Sequence, residues 1–278
     1  MIEHPCFDDE AHYRIGRIHL PVAPQCNIRC RYCEAGVCTD GLSGVPGATL
    51  KVIPPLEAIS VVRRAIRAEP CNKIAAVAGP GEPLANRQTF ETLTLVKKHF
   101  PRLKTCLSTN GLLLPDKVGL LHEMGLDFLT VTINALDVNP ARKIYKWITV
   151  DGQRKKDFDV LLENQQLGVR LAHELGITVK INTVLIPGIN EREVEKIARW
   201  ASKYAYIMNV MPLVPLGEFA GKRRPTCAQM DRARLAVKKH MRLLTRCKQC
   251  RADAVGILGK SAQPKSQHHY LHNFLCRH

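Results

Sequence analysis

Pro24-Gln25-Cys26-Asn27-Ile28-Arg29-Cys30-Arg31-Tyr32-Cys33 is the stretch around which the chain is organised. Its three cysteines stand at Cys-x3-Cys-x2-Cys spacing. Thiolates bind soft or borderline metals, above all iron–sulfur clusters and zinc. Structural zinc usually takes four protein ligands, and catalytic zinc seldom uses three cysteines. Three thiolates on a cubane cluster leave its fourth iron open, and this spacing lets one loop wrap one cube. The stretch therefore points to chemistry at an iron with a vacant position, with a zinc knuckle or a disulfide pair as the plain alternative. Residues 17–23, just upstream, read as a strand that delivers the loop at its C-terminal end, where parallel α/β folds place catalytic loops.

The 278 residues suffice for one large domain or two small ones, and a hydrophobic fraction of 45% allows a sizeable core. No run of eighteen apolar residues exists, so no membrane span is expected. Met1-Ile2-Glu3-His4-Pro5-Cys6 lacks the basic-then-apolar pattern of a signal peptide. Eleven cysteines without an export signal suit a reducing cytoplasm, where thiols serve metals rather than disulfides. The net charge of +16 asks for an acidic partner or anionic ligands. Much of it is scattered over helical faces such as Arg63-Arg64-Ala65-Ile66-Arg67, and aromatics make up only 5%. Nucleic acid is therefore disfavoured as a partner, although an RNA-modifying enzyme stays open.

Along the chain, apolar periodicity predicts helices over 54–68, 89–99, 117–124, 157–175, 191–203 and 232–244. Gly125 and Gly176 are placed as C-terminal caps. Strands are expected at 17–23, 73–78, 103–108, 127–134, 178–186 and 205–211, with a short one at 254–258. Alternating strands and helices imply right-handed βαβ units and a parallel sheet, an α/β fold of the TIM-like (βα) barrel type, partial or closed by its terminal segments. The barrel domain is assigned to 1–260 and a polar tail with His268-His269-Tyr270-Leu271-His272 to 261–278. Residues 34–47 read as a long lid-like loop carrying Cys38.

Chemistry-bearing residues collect at the expected strand ends. Gly79-Pro80-Gly81-Glu82-Pro83 follows the second strand, and its glycines permit close backbone approach to a ligand. Ser108-Thr109-Asn110 ends the third strand, and Thr132-Ile133-Asn134 the fourth. These groups suit polar ligand atoms, or equally the capping of the following helices. Cys106 and Ser108 share a strand face. Cys247-Lys248-Gln249-Cys250 supplies two ligands at one pitch, and Cys6, His19 and Cys38 flank the first strand and its loop. So many donors around one mouth imply more than one additional cluster. His19 reads equally as a core histidine. Cys71, Cys227 and Cys276 carry no motif.

The cysteine triad, with an aromatic before its third member, resembles the radical S-adenosylmethionine (SAM) superfamily. Within it the chain resembles the NifB family of nitrogenase cofactor assembly. The likeness is carried by residues 4–6, 22–28, 78–86, 106–112, 131–135, 143–148, 186–190 and 209–213, and most specifically by Cys247-Lys248-Gln249-Cys250-Arg251-Ala252-Asp253-Ala254-Val255-Gly256.

The resemblance implies that Cys26, Cys30 and Cys33 hold a [4Fe-4S] cluster that binds SAM. Cys6, His19 and Cys106 would hold one substrate cluster, and Cys247 and Cys250 another. Cys38 would be a mobile catalytic ligand. Tyr32, Gly79, Gly81, Glu82, Pro83, Ser108, Thr109, Asn110, Thr132, Asn134, Asn209 and Met211 would bind the cofactor. The implied reaction fuses two [4Fe-4S] clusters into an eight-iron, carbide-containing precursor, with SAM as both methyl donor and source of the 5′-deoxyadenosyl radical. Implied partners are NifX-like and NifEN-like carriers, a cluster donor and an electron donor. In the family the loop cysteine is usually followed by Glu-Ser-Arg-Pro-Gly, whereas Cys38 is followed by Thr39-Asp40-Gly41; Asp40 or Glu34 is then the stand-in for that glutamate. The chain stops soon after Gly259, so a separate acceptor is expected for the product. A radical SAM enzyme acting on RNA through one auxiliary cluster, and a non-catalytic cluster carrier, are the competing readings. The first predicts salt-sensitive RNA binding, and the second has no use for the 79–83 turn.

Overall fold

A computed structural model describes residues 2–34, 36–38 and 45–258. The suggested stand-in Asp40 and the polar tail at 261–278 lie outside the described residues. In chain order the elements are β1 (Gly16–His19), β2 (Ile28–Cys30), α1 (Pro55–Ala68), β3 (Asn72–Val77), α2 (Arg87–His99), β4 (Lys104–Thr109), α3 (Leu114–Glu123), β5 (Phe128–Thr132) and α4 (Val138–Ile144). There follow β6 (Tyr145–Val150), β7 (Gln153–Lys155), α5 (Asp159–Glu174), β8 (Thr178–Leu185), α6 (Glu191–Ala201), β9 (Ile207–Pro212), α7 (Cys227–Lys238), β10 (Leu243–Leu244) and β11 (Val255–Ile257).

Eight strands form one sheet in the order β10-β9-β8-β5-β4-β3-β1-β11. All neighbours are parallel except β11, which runs antiparallel to β1. The two outermost strands do not meet, so the sheet is a partial barrel that the C-terminal strand extends rather than closes. Alternation along each strand explains its two faces. Val179, Ile181 and Leu185 of β8 join Leu107, Leu129, Val77 and Ile18 in the core beneath the helices. Lys180, Asn182 and Val184 point the other way, into the barrel. The helices meet that core on one stripe; α6 buries Val194, Ile197, Ala198 and Ala201. Gly125 and Gly176 follow α3 and α5 with φ of 70° and 76°, the left-handed caps expected.

Besides the first strand, which ends at His19 rather than at 23, and α4, which the periodicity did not predict, the structure departs from the sequence reading in three places. First, α7 begins at Cys227, not 232, because Thr226 and Gln229 close a reciprocal capping box. Second, the apolar residues at its expected end leave the helix: Leu243-Leu244 pairs with Met208-Asn209 as an edge strand. Third, a small antiparallel sheet, β2-β6-β7, stands beside the barrel. It takes Ile28 to Cys30 out of the expected loop and packs Ile28 and Ile148 into a second core with Tyr145 and Phe158. Across the floor of the barrel, Phe7 packs in a third core with Ile74, Ala76, Cys106, Phe128 and Ile207. Among the described residues no helix is long and apolar enough to cross a membrane.

Candidate active site

The cysteine loop is held from two sides. On one, Gly81 N donates to Ala23 O at 2.6 Å and Glu82 N to Gln25 O at 2.7 Å. The approach is so close that a Cβ on Gly81 would stand 2.2 Å from Gln25 O, so glycine is obligatory there. On the other, Glu218 accepts from Arg31 and, at 2.6 Å, from Lys146 Nζ. Within the loop Cys33 N donates to Cys30 O at 3.2 Å. Burial first, then the fields of Cys33 and Cys26, pushes the Cys30 thiol well up. Three thiols in one another's field, on a braced loop, form a donor set that fits a cubane cluster.

Polar residues at the strand ends divide into two groups. Glu82 is buried and turned inward: Oε1 accepts from Leu84 N and from Thr109 Oγ1 at 2.5 Å, and Oε2 from Asn110 N at 2.7 Å. Desolvation outweighs these bonds and raises its carboxyl to about 7. Asn110 Nδ2 donates to Asn27 Oδ1 at 2.7 Å, beside Cys26. Asn134 Nδ2 donates to Tyr32 Oη at 2.9 Å, and its Oδ1 accepts from Val184 N. Asn209 Nδ2 reaches Asn182 Oδ1 at 3.1 Å. In this structure the side chains of Glu82, Thr109, Asn110, Asn134 and Asn209 thus bond to the protein, fixing the turn, the loop and Tyr32. Ser108, Thr132, Met211 and Tyr32 instead line the open space.

That space is a chamber of about 320 Å³ inside the barrel. Cys33, Cys6, His19, Cys106, Cys247 and Cys250 all line it. His19, Ala76 and Cys106 lie side by side on β1, β3 and β4, in register. Ala76 and Ala78 keep the wall between them shallow. His19 Nδ1 lies 2.8 Å from Arg251 O, and a carbonyl only accepts, so Nδ1 carries the proton. Burial lowers the ring to about 4 and keeps it neutral, which leaves Nε2 a free lone pair, the state a metal ligand needs. Burial likewise raises Cys6 to about 11 and Cys106 to about 12, so both are protonated thiols until a metal displaces the proton. Among the described residues no three His, Cys, Asp or Glu converge on one point; thiolates of a cluster each take a different iron and need not converge.

The C-terminal segment is knitted to the loop region. Gly47 N donates to Cys250 O, Ala252 N to Ala48 O and His19 N to Ala254 O. Asp253 ties Thr49 Oγ1 and Leu50 N to Arg251, and those donors hold its carboxyl below the usual range despite burial. Cys38 pairs its N–H with Thr49 O and does not line this chamber. Cys26 is exposed, and Glu34 stands exposed at the rim.

Three ionisable chamber residues escaped the sequence reading: His4, Arg17 and Lys180, all buried. The signal for Lys180 was present, because Thr178, Lys180 and Asn182 alternate with Val179 and Ile181.

The model of the radical SAM superfamily matches residues 20–201. The FeMo cofactor biosynthesis protein NifB of Methanocaldococcus jannaschii is 39% identical over 258 residues, covering 92% of this chain and 86% of that protein. Its namesake in Klebsiella pneumoniae is 41% identical over 92% of this chain but 57% of its own length. Among solved structures, Streptococcus suis SuiB bound to S-adenosylmethionine superposes with a TM-score of 0.62 at 14% identity, covering 83% of this chain and 50% of that one. A radical SAM methyltransferase from Sphaerobacter thermophilus gives 0.58 at 18%, over 84% and 65%. At such identities these two carry the fold alone.

Proposed function

The chain belongs to the NifB family of radical SAM enzymes, and from that premise we propose that it fuses two [4Fe-4S] clusters into an eight-iron, carbide-containing precursor of the nitrogenase cofactor. It is a radical SAM enzyme of FeMo cofactor biosynthesis. One observation carries the finer reading: a single chamber is lined by Cys33 of the triad and by two further donor sets, Cys6/His19/Cys106 and Cys247/Cys250. One auxiliary cluster would not need both.

Cys26, Cys30 and Cys33 would hold the resident cluster, which when bound supplies the electron that cleaves SAM. The braces at Gly81, Glu82 and Glu218 fix the loop that carries them. Asn134 fixes the Tyr32 hydroxyl at the chamber wall. His19 would offer Nε2 to one substrate cluster, and Cys6 and Cys106 would bind it as thiolates, releasing their protons to solvent. Cys247 and Cys250 hold the other cluster on the C-terminal segment. The product passes to a carrier of the NifX or NifEN kind, and a cluster donor and an electron donor serve the site.

The test is anaerobic. The protein is reconstituted with iron and sulfide, given SAM and dithionite, and assayed together for 5′-deoxyadenosine and S-adenosylhomocysteine. Both products, with label from the SAM methyl retained in the iron–sulfur fraction, are expected. 5′-Deoxyadenosine alone would refute methyl transfer to a cluster.

A further inference from the structure

We propose that Lys180 is a built-in countercharge for the thiolates of Cys6 and Cys106 when they hold an iron–sulfur guest, as Arg17 is for Cys250; the proposal rests on the functional reading above. Lys180 is only 5% exposed and lines the chamber. Its ammonium lies over the Phe7 ring, 5.1 Å from Nζ to centroid, and not against a carboxylate. Among the described residues neither it nor Arg17 has an ion pair within 4.0 Å. Among the described residues the one carboxylate on the chamber wall, Glu34, is exposed at the rim.

A buried ammonium without an anion is costly, and buried charges elsewhere are paired or bound to metal sites. The anion that would repay this cost is generated by guest binding itself. Buried neutral thiols lose their protons when they become ligands, and their sulfurs then carry negative charge, shared with the irons, on the wall that Lys180 also lines. The sheet register sets the distance: Lys180 is level with Thr130 and Ser108, one inward-facing row beyond Cys106. Cys6 and Cys106 line the same chamber. Arg17 repeats the arrangement for the second donor set, with Nη2 3.2 Å from Cys250 Sγ and Nη1 on Gly256 O. A neutral donor completes the wall. His4 Nδ1 accepts from Cys6 N at 3.0 Å, so its proton sits on Nε2, which is buried without a partner.

The experiment compares the full-length protein with Lys180→Met and Lys180→Arg, each reconstituted anaerobically with iron and sulfide without SAM. Three quantities are read: melting temperature before reconstitution, iron retained against a chelator, and midpoint potential of the chamber clusters. Lys180→Met is expected to melt higher when iron-free, since an unpaired buried charge is gone. It should nevertheless hold chamber iron about 10–100-fold more weakly, and any cluster that remains should have a more negative potential. Lys180→Arg should recover most of the retention. A purely structural lysine would lower melting and iron retention together, and that result overturns the proposal. So does a Lys180→Met protein with unchanged iron and potential. Lys180→Gln is a second neutral variant should methionine fail to fold. Failure of the functional reading looks different: the unsubstituted protein would then hold no iron beyond the triad's cluster.

Discussion

Gly81→Ala should detach the radical-generating end of the site from the barrel. The added Cβ would stand 2.2 Å from Gln25 O, 2.6 Å from Gln25 C and 2.9 Å from Ala23 O, all backbone atoms that no rotamer change relieves. Relief requires the 23–25 segment to retreat by about 1 Å to reach ordinary contact. The same two carbonyls accept Gly81 N at 2.6 Å and Glu82 N at 2.7 Å, and Gln25 O also accepts Asn86 Nδ2 at 2.9 Å. A retreat of that size takes all three beyond hydrogen-bond range. At roughly 1 kcal/mol each, the loss is about 3 kcal/mol, or roughly 6–12 °C in melting temperature for a chain of this size. Cys26 follows Gln25 directly, so the first thiol moves with it, beyond the ~0.5 Å that a preorganised site tolerates. Melting of the iron-free protein and iron content after reconstitution measure the two effects. Gly119→Ala is the control: Gly119 sits exposed in α3 with nothing within 4 Å, and alanine there should stabilise by about 0.5–1 kcal/mol. A Gly81→Ala protein that melts with the unsubstituted one and keeps a full triad cluster would refute this account of the loop.

Glu82 makes a pH prediction. Its folded-state carboxyl, at about 7, lies above the ordinary 4.5, so the folded form holds a proton that the unfolded chain releases. Its contribution is complete below pH 4.5 and is lost as pH rises toward 7, by about 3 kcal/mol; urea midpoints of Glu82→Gln should lack that component, and parallel profiles would contradict it. Cys250→Ala should lose chamber iron while the triad's cluster remains, as counted by iron and sulfide per chain; an unchanged count removes Cys250 from the ligand set. His19→Ala should change the electron paramagnetic resonance of a chamber cluster, and an identical spectrum would return His19 to the core.

Much of this was readable in advance because the strand–helix alternation depends on local patterns. The glycine caps at Gly125 and Gly176, and the ordering of Cys26-x3-Cys30-x2-Cys33 ahead of the Gly79 to Pro83 turn, are likewise local. What escaped was set by distant partners. Leu243-Leu244 is a strand only because β9 offers an unpaired edge, and β2 exists only because residues 145–150 come back to meet it. Apolar runs that short do not declare their period. The polar strand ends stay open between two roles for a related reason. An asparagine such as Asn134 reads the same whether it faces a ligand or holds Tyr32 in place. Lys180 and Arg17 were passed over because single basic residues in strands are usually solvated.

The register of His19, Ala76 and Cys106 on three adjacent parallel strands has a mechanical consequence. Strand spacing is fixed by backbone hydrogen bonds, so two strand-to-strand steps hold the His19 and Cys106 backbones about 10 Å apart. That side of the chamber is a fixed jaw. Cys6, Cys247 and Cys250 come instead from segments outside any regular element. Their places are set by turns and loop contacts rather than by strand spacing, so under the proposed reaction a difference in size between guests is taken up on that side while the sheet holds its gauge.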